Sequence, residues 1–325
     1  MAPLVAALLL APGAAGADET YQAGYLRLTA PGDPPVPVSL WYPTTAAESA
    51  IQAGPYTITA ALDAPPVPGK HRLVVISHGS GGSDLGHRDL AEFLARHGIV
   101  VAAPRHLGDS YDRPEGRGSD VQLIGRPWQI VATLDAVLGD ARIAQAVDPT
   151  RIGMAGFSAG GYTTLVIAGA KPDLELGAAH CAEHPEDREI CAARPDKGPR
   201  TTRPGWQLPH ETRVKAAVVM APLGVFFDKA GLAGIDIPLR LYEAADDHVL
   251  VNAWNTRRVL AALPRPVEHA SVAGGHFVFL APCPAALAAE VPVLCSDPPG
   301  VDRAAIHRQI NAEILDFFDR TLGRE

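Results

Sequence analysis

The chain has 325 residues, 47% hydrophobic and 20% charged, which excludes a disordered or low-complexity polymer and allows one large core. Its 36 acidic and 28 basic side chains give a formal net charge of -8, a balance that argues against nucleic acid or an anionic membrane as partner. Beyond the N-terminus no run reaches the ~18–20 apolar residues that span a bilayer, so no integral membrane segment is expected.

The chain opens with a short apolar run from Leu4 to Leu10, then small residues ending in Ala15-Gly16-Ala17. That pattern predicts a secretory signal over residues 1–17 and a mature start near Asp18, hence a secreted or periplasmic protein. Tyr21–Leu28 and Val36–Tyr42 alternate around a Pro-Gly-Asp-Pro-Pro turn and predict an antiparallel pair at a sheet edge. Tyr56–Ala60 is a further short strand, and Leu62–Lys70 a proline-rich connector. Leu73–Ser77 and Ile99–Ala103 are continuous apolar runs, the mark of strands buried on both faces, with a helix over Leu90–His97 between them. Val121–Leu138 has helical periodicity, with Pro127 early in it.

Arg151–Ala155 is a brief strand that runs into Gly156-Phe157-Ser158-Ala159-Gly160 and then into a helix-forming stretch. The spacing is G-x-S-x-G, which predicts a sharp strand-to-helix turn presenting the Ser158 hydroxyl at the top of a parallel sheet. Gly156 and Gly160 supply the small neighbours that such a turn needs. Residues 171–211 interrupt the rhythm with proline, charge and histidine, and predict an inserted, lid-like segment. Strands resume at Val214–Met220, Ile237–Tyr242 and Val267–Val272, with helices over Asn252–Leu263 and Arg303–Leu322. The last helix turns Ile306, Ile310, Ile314 and Phe317 to one face. Strands alternating with helices in this way predict an α/β fold: a mostly parallel central sheet with helices on both faces, in one domain from residue 18 to 325.

A serine hydroxyl becomes a nucleophile only beside a base, and the base needs an orienting acid. The strand ending at Tyr242 leads to Glu243, Asp246, Asp247 and His248; the strand ending at Val272 leads to Gly274-Gly275-His276. Ser158, Asp247 and His276 follow in the order expected of a hydrolase on such a sheet. Asp246 and Glu243 are the lesser choices of acid, and His248, beside the acid, reads as a helix start. An oxyanion hole would take one N–H from Ala159 and one from the His78–Gly82 loop, with Ser80 preferred to Gly81 and His78 left to structural hydrogen bonding. Phe157, Phe277 and Trp128 are candidates for the substrate pocket. The chemistry needs no metal or organic cofactor.

Four cysteines in an exported chain predict two local disulfides, Cys181 with Cys191 and Cys283 with Cys295. The competing reading, a metal cluster of His180, Cys181, His184 and Cys191, matches no standard zinc spacing.

The motifs LWYPT, VVISHGSGGS, LARHGIVVAAPRHLG, RPWQIVATLDAVL, DPTRIGMAGFSAGG and GGHFVFLAPC together resemble the α/β-hydrolase superfamily. More narrowly, they resemble bacterial predicted dienelactone hydrolases related to platelet-activating-factor acetylhydrolase. The resemblance implies Ser158 as nucleophile, His276 as base and Asp247 as acid. Dienelactone hydrolases proper carry a cysteine where this chain has Ser158, so the expected substrate is a carboxylic ester, with short-acyl esters, small lactones and aromatic or polyester substrates all open. The rival expectations are amide or peptide hydrolysis, which would need convergent carboxylates among Glu175, Glu183 and Glu186 to hold an amine, and a non-catalytic binding protein.

Overall fold

The computed structural model describes residues 20–191 and 200–324. The expected leader over residues 1–17 and the middle of the 171–211 insertion therefore lie outside the described residues. Among the described residues ten strands form one sheet: β1 Gln22–Ala30, β2 Val36–Thr44, β3 Ser49–Ala53, β4 Tyr56–Leu62, β5 His71–Ser77, β6 Ile99–Pro104, β7 Val147–Phe157, β8 Val214–Met220, β9 Leu239–Ala244 and β10 Glu268–Val272. Their order is β10-β9-β8-β7-β5-β6-β2-β1-β4-β3, and the six strands from β10 to β6 are parallel. The helices, in chain order, are α1 Arg88–Arg96, α2 Arg126–Gly139, α3 Ala159–Ile167, α4 Leu174–Glu183, α5 Arg188–Cys191, α6 Lys229–Leu232, α7 Thr256–Ala262, α8 Ala285–Glu290, α9 Pro292–Cys295 and α10 Arg303–Leu322.

Both faces of the central strands are covered, as their unbroken apolar sequences require. Val74 and Ile76 of β5 point into the core beneath α1 and α10, and Leu73 and Val75 into the core beneath α2. That is the two-residue period of a strand applied to a sheet with helices on both sides. Burying each of these side chains is worth ~1.5–3 kcal/mol, so β5 is among the strongest fixed points of the sheet. In α10, Ile310, Ile314 and Phe317 are buried as their spacing predicts, while Ile306 is half-buried at the margin. The described chain has the α/β-hydrolase fold expected above.

Several elements depart from the sequence reading. The β1–β2 pair is antiparallel but lies inside the sheet, because β4 adds in parallel to β1 and β3 closes the edge as a hairpin with β4. The 121–138 helix is two elements, a π-helical turn over Val121–Gly125 and then α2. Pro127 accounts for the break, since it has no N–H to give the Leu123 carbonyl four residues back. The Tyr162 hydroxyl donates to that carbonyl instead, at 3.2 Å. His248 does not begin a helix; it is exposed in a bend, and α7 starts only at Thr256.

Candidate active site

All parallel strands end on one edge of the sheet, and the chemistry-bearing residues gather there. Ser158 sits between β7 and α3 with φ 57° and ψ −117°, a strained backbone conformation for a residue with a side chain. The turn closes only because Gly160 is bare. A Cβ there would fall on the carbonyls of Ser77 and His78 at the end of β5. The strain is held by packing on both sides: the Ser158 N–H donates to the Met220 carbonyl at 2.9 Å, and its own carbonyl accepts from Tyr162 and Leu223.

The Ser158 Oγ lies 3.0 Å from His276 Nε2, and His276 Nδ1 lies 2.7 Å from Asp247 Oδ2. A carboxylate oxygen only accepts, so Nδ1 carries the proton and Nε2 turns its lone pair toward the serine. The other Asp247 oxygen accepts the N–H groups of Leu250 at 2.7 Å and Val249 at 3.0 Å. Asp247 and His276 are buried, while Ser158 is partly open to solvent. Asp246, the lesser choice of acid, is exposed, and its N–H is taken by the Gly274 carbonyl. Glu243 is held within β9 by Arg257, so neither competes for His276. The histidine loop turns at Gly274, whose φ of +113° excludes other residues at low cost.

Phe157 and Phe277 flank this histidine differently. The Phe157 ring is buried 4.7 Å from the His276 ring and also packs on Phe279, so it forms the floor beneath the imidazole. Phe277 is half-buried and stands edge-on to His276 at 5.3 Å, beside the opening. Trp128 is farther away. It is 43% exposed on α2 and lines a separate cleft that none of Ser158, Asp247 or His276 touches.

The His78–Gly82 loop follows β5 beside the serine. A Cβ built on Gly79 would lie 3.3 Å from the Ser158 Cβ, so the loop passes directly against Ser158. Gly81 N–H donates to the Asp109 carbonyl at 3.2 Å, and Gly82 N–H to the Gly79 carbonyl at 3.0 Å. Ser80 N–H makes no backbone bond among the described residues. Ala159 N–H opens α3, where no carbonyl of the helix itself can reach it. Both amides expected at an oxyanion hole are therefore without a backbone partner among the described residues.

Beneath the loop lies a buried polar network that the sequence reading did not identify. Asp109 accepts from Arg126 Nη1 at 2.6 Å, Ser80 Oγ at 2.6 Å and Gln122 Nε2 at 2.8 Å. Arg126 also donates to the Ser77 hydroxyl at 3.2 Å and to the His78 carbonyl. His78 Nε2 accepts the His106 N–H at 3.0 Å, so its Nδ1 carries the proton given to the Gly79 carbonyl at 2.7 Å. Burial, and then the nearby Arg126 charge, push both His78 and His106 well below the usual histidine range. Both rings are therefore neutral, and their hydrogen bonds fix the loop without titrating near neutral pH. His78 thus has the structural hydrogen-bonding role expected of it. The only trace of the network in the sequence is the charged pair Asp109 and Arg126 bordering apolar segments, and such residues are ordinarily exposed.

The described residues of the insertion form neither of the alternative sites. Cys181–Cys191 and Cys283–Cys295 are both disulfides, as expected, so the sulfurs of the alternative metal cluster are bonded to each other. No group of three or more metal-ligating side chains exists among the described residues. His180 Nε2 instead meets Asp187 at 2.8 Å. Glu175 and Glu183 stand at opposite ends of α4, about 12 Å apart along its axis, too far to hold one amine.

No protein-family model matches the chain. It is 31% identical over 149 residues to "Putative esterase NocK" of Nocardia uniformis subsp. tsuyamanensis, covering 43% of this chain and 41% of that protein. It is 33% identical over 104 residues to the cutinase est1 of Thermobifida alba, covering 31% of this chain and 32% of the cutinase. The chain thus spans less than half the length of the curated relatives it matches. Among solved structures, a ferulic acid esterase from Streptomyces cinnamoneus superposes with a TM-score of 0.63 at 21% identity, over 95% of this chain and 92% of that one. That likeness is one of fold. No helix among the described residues is long and apolar enough to cross a membrane.

Proposed function

We propose that this protein is a serine hydrolase of small carboxylic esters, acting through an acyl-enzyme. The observation that carries the reading is the hydrogen-bonded line from Ser158 Oγ through His276 to a buried Asp247, beside two unengaged amides. His276 Nε2 takes the hydroxyl proton as Ser158 Oγ attacks the ester carbonyl. Ala159 and Ser80 N–H stabilise the tetrahedral oxyanion; one such donor is typically worth ~10²–10³ in kcat. The imidazolium, held by Asp247, gives its proton to the departing alcohol. Water then enters, His276 removes a proton from it, and attack on the acyl carbon returns Ser158 and the acid. Partial similarity to an esterase and to cutinases supports the ester as the scissile group.

The two disulfides, together with the cutinase relatives, support an extracellular setting, secreted or periplasmic. The negative net charge supports a partner set without nucleic acid. The test is hydrolysis of p-nitrophenyl acetate, butyrate and octanoate by the protein and by Ser158→Ala. Turnover is expected to favour the short acyl groups and to vanish in the variant. A wild-type protein that hydrolyses none of the three and is not labelled by an organophosphonate would overturn the reading.

A further inference from the structure

A cleft of about 550 Å³ lies on the same edge of the sheet as Ser158 but beyond the oxyanion loop. Its position follows from topology. β2 runs antiparallel to β6, so the Pro31–Pro34 turn before β2 stands at the end of β6 where the parallel strands finish. Between β7, which ends just before Ser158, and β2 lie β5 and β6, which puts that turn about 14 Å from the nucleophile at ordinary strand spacing. The volume is that of a small-ligand site.

The cleft has an indole floor. Gly125 and Trp128 are three residues apart and share one face at the start of α2. The edge of the Trp206 ring meets Gly125, where a Cβ would come within 2.9 Å of it. Trp128 Nε1 donates to the Gln207 carbonyl at 2.8 Å, which fixes the two indoles beside one another. The segment carrying Trp206 is tied down by Asp120, which accepts from Thr202 Oγ1 at 2.6 Å and from Arg203 N–H at 2.7 Å.

The rim selects the ligand. Its charged residues are Asp33, Glu115, Arg113 and Arg203, two of each sign, so the site has no net charge to attract an ion. Glu115 is paired with Arg113 at 2.9 Å, and the Arg203 guanidinium stacks 4.5 Å from the Trp206 ring centre. Donors and acceptors thus stand around an aromatic floor. A neutral sugar ring matches that arrangement, since its C–H face lies on an indole while its hydroxyls both donate and accept.

We propose that this cleft is a distal subsite for a saccharide, so that the ester presented to Ser158 is carried on a short carbohydrate chain. The proposal rests on the esterase reading for its purpose but not for its test. Cellotetraose, xylotetraose and maltotetraose are titrated into the Ser158→Ala protein, which cannot turn over substrate, with indole fluorescence as the signal. At least one is expected to bind, and Trp206→Ala is expected to weaken that binding tenfold or more. Trp128→Phe, which keeps a ring but loses the bond to Gln207, should weaken it less. With Ser158 present, the ratio of kcat/KM on acetylated xylotetraose to that on p-nitrophenyl acetate should fall at least tenfold in Trp206→Ala. Binding of none of the three saccharides overturns the proposal, as does binding that Trp206→Ala leaves intact. Binding of bis(2-hydroxyethyl) terephthalate without any saccharide also overturns it and assigns the cleft to an aromatic ester. If a saccharide binds and no ester is cleaved, the subsite stands and the esterase reading falls; hydrolysis without saccharide binding is the reverse.

Discussion

Asp109→Asn isolates what the buried network does for the oxyanion loop. Asp109 and Arg126 are both fully buried and 2.6 Å apart. The carboxylate also accepts from Ser80 Oγ and Gln122 Nε2, so three donors converge on its two oxygens. Asparagine keeps one acceptor oxygen but turns an NH2 toward at least one of those donors, and it removes the charge that offsets Arg126. Leaving a buried guanidinium without its partner typically costs ~3–5 kcal/mol. The loop should loosen as well, because Ser80 is anchored by the same carboxylate and Gly81 by the Asp109 carbonyl. Losing the alignment of one oxyanion donor lowers kcat by ~10²–10³. Urea denaturation reads the first effect, and kcat on p-nitrophenyl acetate reads the second, in the folded fraction below the transition. If midpoint and kcat both match wild type, the network does not hold the loop. If stability falls while kcat is unchanged, the network is structural and Ser80 does not depend on it.

Three further expectations follow from other parts of the molecule. Asp247→Asn retains an acceptor for the Val249 and Leu250 amides but presents the wrong partner to His276 Nδ1, so kcat should fall ~10⁴-fold with little change in melting temperature; an unchanged kcat would remove Asp247 from the triad. Gly160→Ala places a Cβ less than 3.0 Å from backbone of β5, which must move the start of α3, and a displacement near 1 Å at Ser158 should lower activity ~10²-fold or more; a variant with native rate and melting temperature would show that the elbow tolerates the methyl. Burial pushes the Glu92 carboxyl up to about 7, despite the Thr59 N–H and Arg96. Its folded value exceeds the unfolded 4.5, so the stability it contributes is complete below pH 4.5 and lost as pH rises through about 7. Glu92→Gln should therefore be more stable than wild type at pH 8.5, by at most ~3 kcal/mol, and have no advantage at pH 4; melting curves showing equal gains at both pH values would refute the assignment.

What the sequence made legible was local. Gly156-Phe157-Ser158-Ala159-Gly160 encodes its own geometry, because the turn is impossible without small residues at its ends. Asp247 and His276 could be placed because each follows a segment legible as a strand, and strand ends define the edge where chemistry collects. β3 left little signal, since its five residues are mostly exposed and carry no apolar alternation. β4 is legible as a strand, but nothing in its seven residues encodes its parallel pairing to β1, so β1 and β2 read as an edge. The Asp109–Arg126 pair was illegible for the opposite reason: two charged residues, 17 apart, are buried only because the fold brings them together with Ser77 and His78, which precede Arg126 by 49 and 48 residues. The indole pair spans 78 positions and joins a helix to the aperiodic insertion, so no pattern in either segment announces it.

The same short segment links the nucleophile's surroundings to the cleft. Leu107 and Gly108 line the cleft, and Gln129, also in its wall, bonds His106 Nδ1 at 3.0 Å and the Leu107 carbonyl at 3.0 Å. Asp109, the next residue, holds Ser80 and Gly81 on the other side. Packed interiors transmit displacement because they have few voids to absorb it. A substitution that removes ring surface at Trp206 leaves that backbone in place and should alter KM for a bulky ester. A substitution at Gln129 releases His106 and the 107–109 backbone together, and its effect should appear in kcat even for the smallest ester. Unchanged kcat in Gln129→Ala on p-nitrophenyl acetate would show that the cleft wall formed by Leu107, Gly108 and Gln129 does not support the 78–82 loop.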